Sequence, residues 1–491
     1  MAISKVCGLE TEYDFVVFDA RGQQITGWDY VHLMRKFAAI FLSNKKNRHY
    51  NNFYESPLKS VWGRSGRGKI SRRELEHRRL VRRMLPDTDG FLENGARFYL
   101  DGWHPEYSTP ECLLPLDLAA HDKAGELALL EAQQLFQEKC PDMKDCQAQV
   151  YKINSDGFSH SFGSHLNVLL PRKLFGSRQG RQRLLRQYIP FQIARLILVG
   201  GGKIGAENRR PDCEFQISQR ADFCETRFGV QTTEYRPIFN TRDEPHADHR
   251  KFFRLHDIST DSLMCETANF LRIALTQTVL AMIEDGFLEE DWFPENPVRA
   301  MVKVSRDLKF NQPIELKNGK RWTGLELLRA YLLKARDYLK DHPMDNQHQL
   351  AVQMALELLV QLEKNPLDTF GKLDWTTAWF IQKHGPAQTA IGRNLLFREI
   401  SNEGLYYQWL KEGELPRLLD DQAILTARTA APRDTRAFLR GALLKQRFDQ
   451  IEDVNWQSVW LEEDGGLREV KMDNPVLDKD YYSQLLLELQ S

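Results

Sequence analysis

The sequence predicts an α+β fold on three observations. Strand-like segments with alternating polar and apolar residues are interspersed with long helices whose apolar residues recur at three- and four-residue steps. The regular βαβ alternation of a doubly wound sheet is missing. No internal repeat or low-complexity stretch interrupts the pattern. The 491 residues suggest two or three compact units, and 42% hydrophobic with 27% charged residues is ordinary for a globular protein. A formal net charge of -1 gives no general pull toward nucleic acid or an anionic membrane.

The elements follow in order. VCGLETEYDFVVFD reads as the first strand, with its carboxylates at alternate positions, and Trp28 to Leu42 reads as a helix. From Arg64 to Arg83 runs the strongly basic RSGRGKISRRELEHRRLVRR, within an expected loop at about 59–90 closed by Pro86 and Gly90. A short strand from Ala96 to Leu100 leads into DGWHPEYSTPEC, and Ala119 to Lys139 is an amphipathic helix. Further strands are expected at Gln149–Lys152, His165–Leu170 and Glu214–Ser218, with helices at Arg181–Val199 and Ser259–Glu284. Ser259 or Thr260 is the candidate N-cap of the latter helix. Gly324–Lys340 and Gln347–Glu363 form a helical hairpin broken at His342-Pro343; beyond Gly404 the chain reads as helical up to Asp453, and VNWQSVW as a last strand.

Seven scattered cysteines without CxxC spacing argue against a disulfide framework or a zinc ribbon. MAISKVCGLETEYDF lacks the basic patch and apolar core of a signal peptide, and no apolar run reaches the roughly 20 residues that span a bilayer. The expectation is a cytoplasmic protein with reduced thiols and no membrane partner.

Side chains two apart on a strand share a face, roughly 7 Å from one another. Glu10 and Glu12 therefore project together, as do Arg97, Tyr99 and Asp101, His165 and Asn167, and Gln216, Ser218 and Arg220. A solvated sheet face explains any one such strand. Four together, rich in Arg, Tyr, His and Asn, point to the lining of a concave polar site. Such a lining suits magnesium, which takes oxygen ligands and bridges a few carboxylates to substrate phosphates. Glu10, Glu12 and Glu106 can supply carboxylates, and Arg97, Arg220 and Arg242 can neutralise phosphate oxygens. Asp101, one strand step beyond Tyr99, is placed to act as base or nucleophile on an activated carbonyl.

Two other motifs point elsewhere. GGGKIG at Gly200–Gly205 fits GxGxxG, but AENRRPD follows it with no helix pattern, against a dinucleotide fingerprint. There is no Walker A motif, so phosphates must be held by metal and arginine. NTRDEPHADHRKFFRLH, Asn240 to His256, holds three histidines, but the spacing matches no common zinc pattern; Arg242 as a phosphate clamp in a rigid loop is the better reading.

GLETEY at Gly8–Tyr13, NGARFYLDGWHPEYSTPEC at Asn94–Cys112, FQISQRADF at Phe215–Phe223, RPIFNTRDEPHAD at Arg236–Asp248, NEGLYY at Asn402–Tyr407 and RDTRAFLRG at Arg433–Gly441 strongly resemble the Pup ligase and Pup deamidase/depupylase family. The resemblance runs from the first strand to Trp456. It implies a carboxylate–amine ligase with a glutamine synthetase-like fold: a curved antiparallel sheet cradle backed by helices in a large domain (1–405), and a small C-terminal domain (406–491). It implies ATP, or ADP with phosphate, and Mg2+ as cofactors. Carried onto this chain, it puts magnesium ligands at Glu10, Tyr99 and Glu106, nucleotide contacts at Arg97, Thr109 and Trp456, and the catalytic aspartate at Asp101. Glu12 and His165, on the same faces, complete the expected metal-binding set.

The family's two activities, as the resemblance implies them, are ligation of the small acidic modifier Pup through its C-terminal glutamate to lysine, and the reverse cleavage with deamidation of a terminal glutamine. An extended segment between Glu55–Leu58 and Asn94, and the short spacing of Asp101-Gly-Trp-His104-Pro-Glu106, resemble the depupylases. An ATP- and magnesium-dependent deamidase and isopeptidase is therefore the leading reading, and the ligase the alternative. A third, a nucleotide-binding regulator without turnover, rests on the family's HEN triplet appearing here as His165-Leu166-Asn167. The basic run at 64–83 has the composition of a latch for an acidic substrate; without aromatic interleaving it does not point to nucleic acid.

Overall fold

The computed structural model describes residues 1–45, 88–157, 160–385, 389–463 and 466–476, with positions 484, 485 and 487 near the C-terminus. The basic run at 64–83, and almost all of the expected loop around it, lies outside the described residues. Among the described residues, the strands up to Asp257 are β1 (Cys7–Glu12), β2 (Asp14–Phe18), β3 (Asp89–Phe91), β4 (Arg97–Asp101), β5 (His104–Ser108), β6 (Gln147–Tyr151), β7 (Ser164–Pro171), β8 (Lys203–Ile204), β9 (Phe215–Gln216), β10 (Thr226–Gly229), β11 (Pro237–Asn240) and β12 (Phe252–Asp257). Eight of them form one sheet in the order β10-β11-β12-β7-β1-β5-β4-β3. Every neighbouring pair in it is antiparallel except β10 with β11.

Alternation along these strands divides the sheet into two chemically different faces. Cys7, Leu9 and Thr11 of β1 are buried, whereas Glu10 and Glu12 between them are partly exposed. Leu9 and its partner Leu166 on β7 point into the main core, as do Phe98, Tyr107, Val168, Phe253 and Leu255. Helices Pro115–Lys139, Arg178–Val199 and Glu266–Asp285 form the layer of that core. The last has almost every side chain buried, because other helices pack around it on several sides. The helical hairpin lies at Gly324–Asp341 and Asn346–Lys364, the first helix opened by a Thr323–Glu326 capping box.

Several sequence expectations are corrected. VCGLETEYDFVVFD is two strands in different sheets: β1 in the large sheet and β2 paired with β6, with buried Tyr13 between them. Ser259 and Thr260 do not cap a helix, which starts seven residues later at Glu266. Their hydroxyls go instead to the Asp257 carboxylate and the Ser164 carbonyl, and the Asp374 carboxylate accepts from the backbone N–H groups of Met264 and Cys265 just ahead of the helix. The strand expected at Glu214–Ser218 shortens to Phe215–Gln216. VNWQSVW holds the end of strand Ile451–Val454, a turn at 455–457 with Trp456 at its tip, and the start of strand Ser458–Glu463. The division expected at 405/406 falls inside the main core, since Tyr406, Leu415, Leu419 and Ala427 belong to it. A second core gathers Leu439, Leu443, Val454, Val459, Leu461 and Val470 around helix Ala437–Gln446 and the three C-terminal strands, so the small unit begins near 435.

Gly200–Gly205 follows a helix rather than opening one. Gly202 has φ +77, and a Cβ there would come within 2.9 Å of Trp375 Cα. These glycines serve close packing. The seven cysteines are unpaired. No helix among the described residues is long and apolar enough to cross a membrane.

Candidate active site

Direct partners in an antiparallel sheet lie on the same face, so the register alone assembles the site. Glu10 lies opposite His165 on β7 and Ser108 on β5, and Glu12 lies opposite Glu106. Across β5 and β4, Ser108 meets Arg97, Glu106 meets Tyr99, and His104 meets Asp101. On the other side, Asn167 meets His256 of β12. One polar strip thus crosses five strands, opposite the apolar face that meets the helices.

Two clusters of metal-capable atoms stand on this strip. One ligand atom each from Glu12, Asp101 and Glu106 lies within 4.8 Å of the others, and Glu10, His165 and His256 form a second such group. Tyr99 donates a short hydrogen bond to Glu106, and the Gly163 N–H donates to Glu12 Oε2 at 2.6 Å. Burial, followed by the charges of Glu10, Asp101 and Glu12, pushes the Glu106 carboxyl well above its ordinary pKa. Three crowded carboxylates with few donors are the oxygen set that a hard divalent cation takes, so the residues fit magnesium. Burial would also raise Glu10, but the hydrogen bond from His165 and the charges of His256 and Arg254 outweigh it and hold that carboxyl low.

Strands β4 and β5 are joined by the two-residue turn Gly102-Trp103, with Gly102 at φ +56, the left-handed region that such a hairpin turn requires. The turn leaves Asp101 exposed at the end of the strip, beside the acidic cluster. At the opposite end the strip runs into an open pocket lined by Gly8, Glu10, Thr109, His246, Arg254 and Trp456, among others. Thr109 is held by its own hydroxyl, which accepts from Leu9 N–H and donates to the Pro110 carbonyl. Trp456 is brought here by the small unit. Its ring packs edge-on against Phe91 at 4.9 Å and under the Arg440 guanidinium at 4.8 Å. Partly buried Glu111 accepts hydrogen bonds from Arg436 at 2.7 Å and from Arg440, clamping the small unit to the sheet.

Glu10, Glu12, Tyr99, Asp101, Glu106, His165, Thr109 and Trp456 are thus all on the strip or in its end pocket. The three expected phosphate arginines are placed differently. Arg97 is on the strip, but its guanidinium makes two hydrogen bonds to Asp89 at 2.6 and 2.8 Å and covers the Tyr99 ring at 3.8 Å. Arg242 is half exposed at the rim, 3.1 Å from Glu244. Arg220 is off the strip: it is buried and donates to the backbone carbonyls of Ile258 and Phe162. Gln216 and Ser218 are likewise committed, to Asp222 and Asp261, so this fourth polar face is a buried hydrogen-bond hub. Leu166 points into the core, which leaves His165 and Asn167 on the strip.

Two residues of the strip went unread. Arg254 lies 3.4 Å from Glu10 Oε1 and 3.1 Å from Asn167 Oδ1, and the His256 Nδ1 is 2.9 Å from the same Asn167 oxygen. Their signal was FFRLHD, whose Phe253 and Leu255 alternate with Arg254 and His256 as a half-buried strand should; the surrounding histidines hid it. Those histidines do not converge, since His246 lines the end pocket and His256 joins Glu10.

The model of the family described as Pup-ligase protein matches residues 5–460. Similar curated proteins include a depupylase of Acidothermus cellulolyticus, 34% identical over 471 residues, covering 93% of this chain and 90% of the relative. A Pup–protein ligase of a Nocardioides species is 36% identical over 420 residues, covering 81% of this chain and 89% of the relative. A Pup deamidase/depupylase of Mycolicibacterium smegmatis is 35% identical over 377 residues, covering 75% and 74%. Among solved structures, the complex between prokaryotic ubiquitin-like protein Pup and its ligase PafA superposes with a TM-score of 0.81 at 25% identity, covering 100% of this chain and 93% of that one. The ligase PafA with ADP gives 0.72 at 27% identity, covering 89% and 98%.

Proposed function

Because the chain belongs to the Pup-ligase family, we propose that it is an ATP- and magnesium-dependent deamidase and isopeptidase, a depupylase acting on the C-terminal side chain of a small acidic Pup-like modifier. The observation that carries this reading is the two-residue turn between Asp101 and His104, the spacing that resembles the depupylase branch. It brings the Asp101 carboxylate against Glu12 and Glu106.

Bound magnesium would polarise the modifier's γ-carbonyl as a Lewis acid. Glu10, Glu12, Tyr99, Glu106 and His165 are the groups for the metal side of the strip. Thr109 and Trp456 at the end pocket are the groups for the nucleotide, and Arg254, which lines the same pocket, and Arg97 on the strip are the cations available to its phosphates. Asp101 acts on the γ-carbonyl through a water whose proton it takes, or directly, in which case water then hydrolyses the resulting anhydride and frees the aspartate. On either route the carbon–nitrogen bond breaks, and ammonia or the lysine amine leaves with a proton. Arg220, fixed on backbone carbonyls, orders the wall beside the strip rather than meeting phosphate.

The alternative is the ligase, favoured by the TM-score of 0.81 to a ligase in complex with Pup. Purified protein with ATP and magnesium is incubated with a glutamine-ending modifier, a glutamate-ending modifier plus a lysine target, and a preformed conjugate. Release of ammonia and of free target supports the depupylase. Stoichiometric ATP consumption with a heavier conjugate, and no cleavage, decides for the ligase.

A further inference from the structure

At the Asp101 end of the strip, opposite the nucleotide pocket, a second opening begins. It is a cleft of about 830 Å³ walled by Asp14, Tyr30, Trp103, His104, Asp156 and Glu207, among others. Trp103 and His104 directly follow the glycine that turns the chain after Asp101, so the inner wall of the cleft and the reactive carboxylate belong to one hairpin.

The walls have a definite chemistry. Of the three carboxylates, Glu207 is ion-paired with Lys203, and Asp156 lies 2.6 Å from the His160 Nδ1. Asp14 is partly buried, and no Lys, Arg or His nitrogen among the described residues lies within ion-pair distance of it. A partly buried carboxylate without a cation favours a ligand that brings one. At the mouth, Trp103 and Trp28 are among the most exposed aromatic side chains of the protein, at 58% and 86%, and Tyr30 sits between them with its hydroxyl on the Trp103 carbonyl at 3.3 Å. Flat, exposed rings cover an alkyl chain and attract an ammonium through their faces. An acidic modifier tail is the wrong charge for these walls; a lysine, uncharged at its amide nitrogen while joined, becomes the matching ammonium as the bond breaks.

We infer that this cleft is the lysine-side subsite, holding the side chain of the protein joined to the modifier, with Trp103 covering its methylenes and Asp14 meeting the ammonium that develops as the bond breaks. The inference rests on the reading that the chain acts on a modifier–lysine bond. It assigns the two substrates to opposite ends of the strip: nucleotide beyond Glu10, lysine beyond Asp101.

The test exploits two reactions that share one aspartate. Deamidation of a glutamine-ending modifier releases ammonia and has no lysine; cleavage of the conjugate releases one. Asp14→Asn and Trp103→Ala are each assayed for kcat/KM on both substrates. The expected result is a fall in the conjugate-to-deamidation ratio of about tenfold for Trp103→Ala and about fivefold for Asp14→Asn, with Trp103→Phe restoring most of it. An unchanged ratio in both variants overturns the inference, whether activity is kept or lost equally on the two substrates. Should the wild-type protein only ligate, the depupylase reading fails separately. The subsite is then read from KM for a lysine peptide: a rise in both variants with the modifier KM unmoved supports it, and no rise overturns it.

Discussion

Glu10 and Glu106 lie on neighbouring strands of one sheet face, in opposite electrostatic settings. Glu10 has Arg254 at 3.4 Å, His165 at 3.6 Å and His256 at 3.8 Å, and these partners hold its carboxyl low although it is partly withdrawn from water. Glu106 has Glu12 and Asp101 beside it and the hydroxyls of Tyr99 and Ser108 as donors, and burial with like charge pushes it up. The first half of the site is balanced by the protein's own cations. In the second, no cation among the described residues pairs with Glu12 or Glu106, and Asp101, the proposed catalytic group, stands in that half. On the proposed function, binding of metal and competence for chemistry are tied together, because Asp101 belongs to the carboxylate cluster proposed to hold the metal.

The largest test of this division is Asp101→Asn. Removing the base or nucleophile is expected to lower kcat by roughly 10³-fold, while nucleotide affinity, set at the other end of the strip, changes by less than about threefold. Single-turnover assays and nucleotide titration measure the two. A comparable loss of nucleotide binding would break the division into halves.

The balanced half extends into the small unit through Glu111, and here pH is the probe. Burial would raise Glu111, but Arg440 and Arg436 outweigh it and bring its carboxyl down to about 2. Because the folded pKa lies below the unfolded one, the stabilisation is fully present above about pH 4.5 and is lost as pH falls toward 2. A depression of that size corresponds to about 3 kcal/mol. Glu111→Gln is expected to flatten the acid limb of the stability curve and to loosen Trp456 from Phe91, which tryptophan fluorescence and denaturant unfolding between pH 3 and 7 would read.

The signs should then differ within the strip. In chelator, Glu106→Gln relieves like-charge crowding and raises the thermal midpoint, whereas Glu10→Gln strips Arg254, His165 and His256 of their shared carboxylate and lowers it. Each change is about 1–2 kcal/mol. Both variants weaken magnesium-supported activity. Two shifts of the same sign in metal-free protein would sink the contrast.

How much of this was legible in the sequence follows from which physical signals are local. The period of two along β1, β4 and β7 exposed Glu10, Glu12, Tyr99, Asp101 and His165, because a strand declares its faces residue by residue. The pairing that sets Glu12 against Glu106, or Asn167 against His256, is between strands and leaves no local trace. Arg220 misled for the same reason: its spacing from Gln216 and Ser218 mimics a strand face, but the chain turns after Gln216, and the backbone carbonyls that bind it come from residues 162 and 258. Thr109 and Trp456 came only through the resemblance. Neither residue type announces a nucleotide, and Trp456 reaches the pocket by the docking of a second core. Asp374, over a hundred residues from the N–H groups it receives, likewise moved a helix start that the Ser259–Thr260 pair seemed to mark.

The smallest expected effect falls on Arg242, and it measures how far the balanced half extends. The sequence makes this arginine a phosphate clamp. In the structure it is 46% exposed and held 3.1 Å from Glu244, whose other partner is Arg254 at 3.6 Å. Arg254 is only 10% exposed and touches Glu10 itself. Charge at the rim is screened by water and salt, so an exposed pair of this kind contributes about 0.5 kcal/mol. Arg242→Ala is therefore expected to raise the nucleotide KM by no more than about threefold, with the difference shrinking in high salt. Arg254→Ala, which removes a buried guanidinium from Glu10, is expected to cost at least tenfold and to resist salt. If Arg242→Ala proved the more damaging of the two, phosphate would have to sit at the rim beside Glu244, and the balanced half would begin there instead of at Glu10.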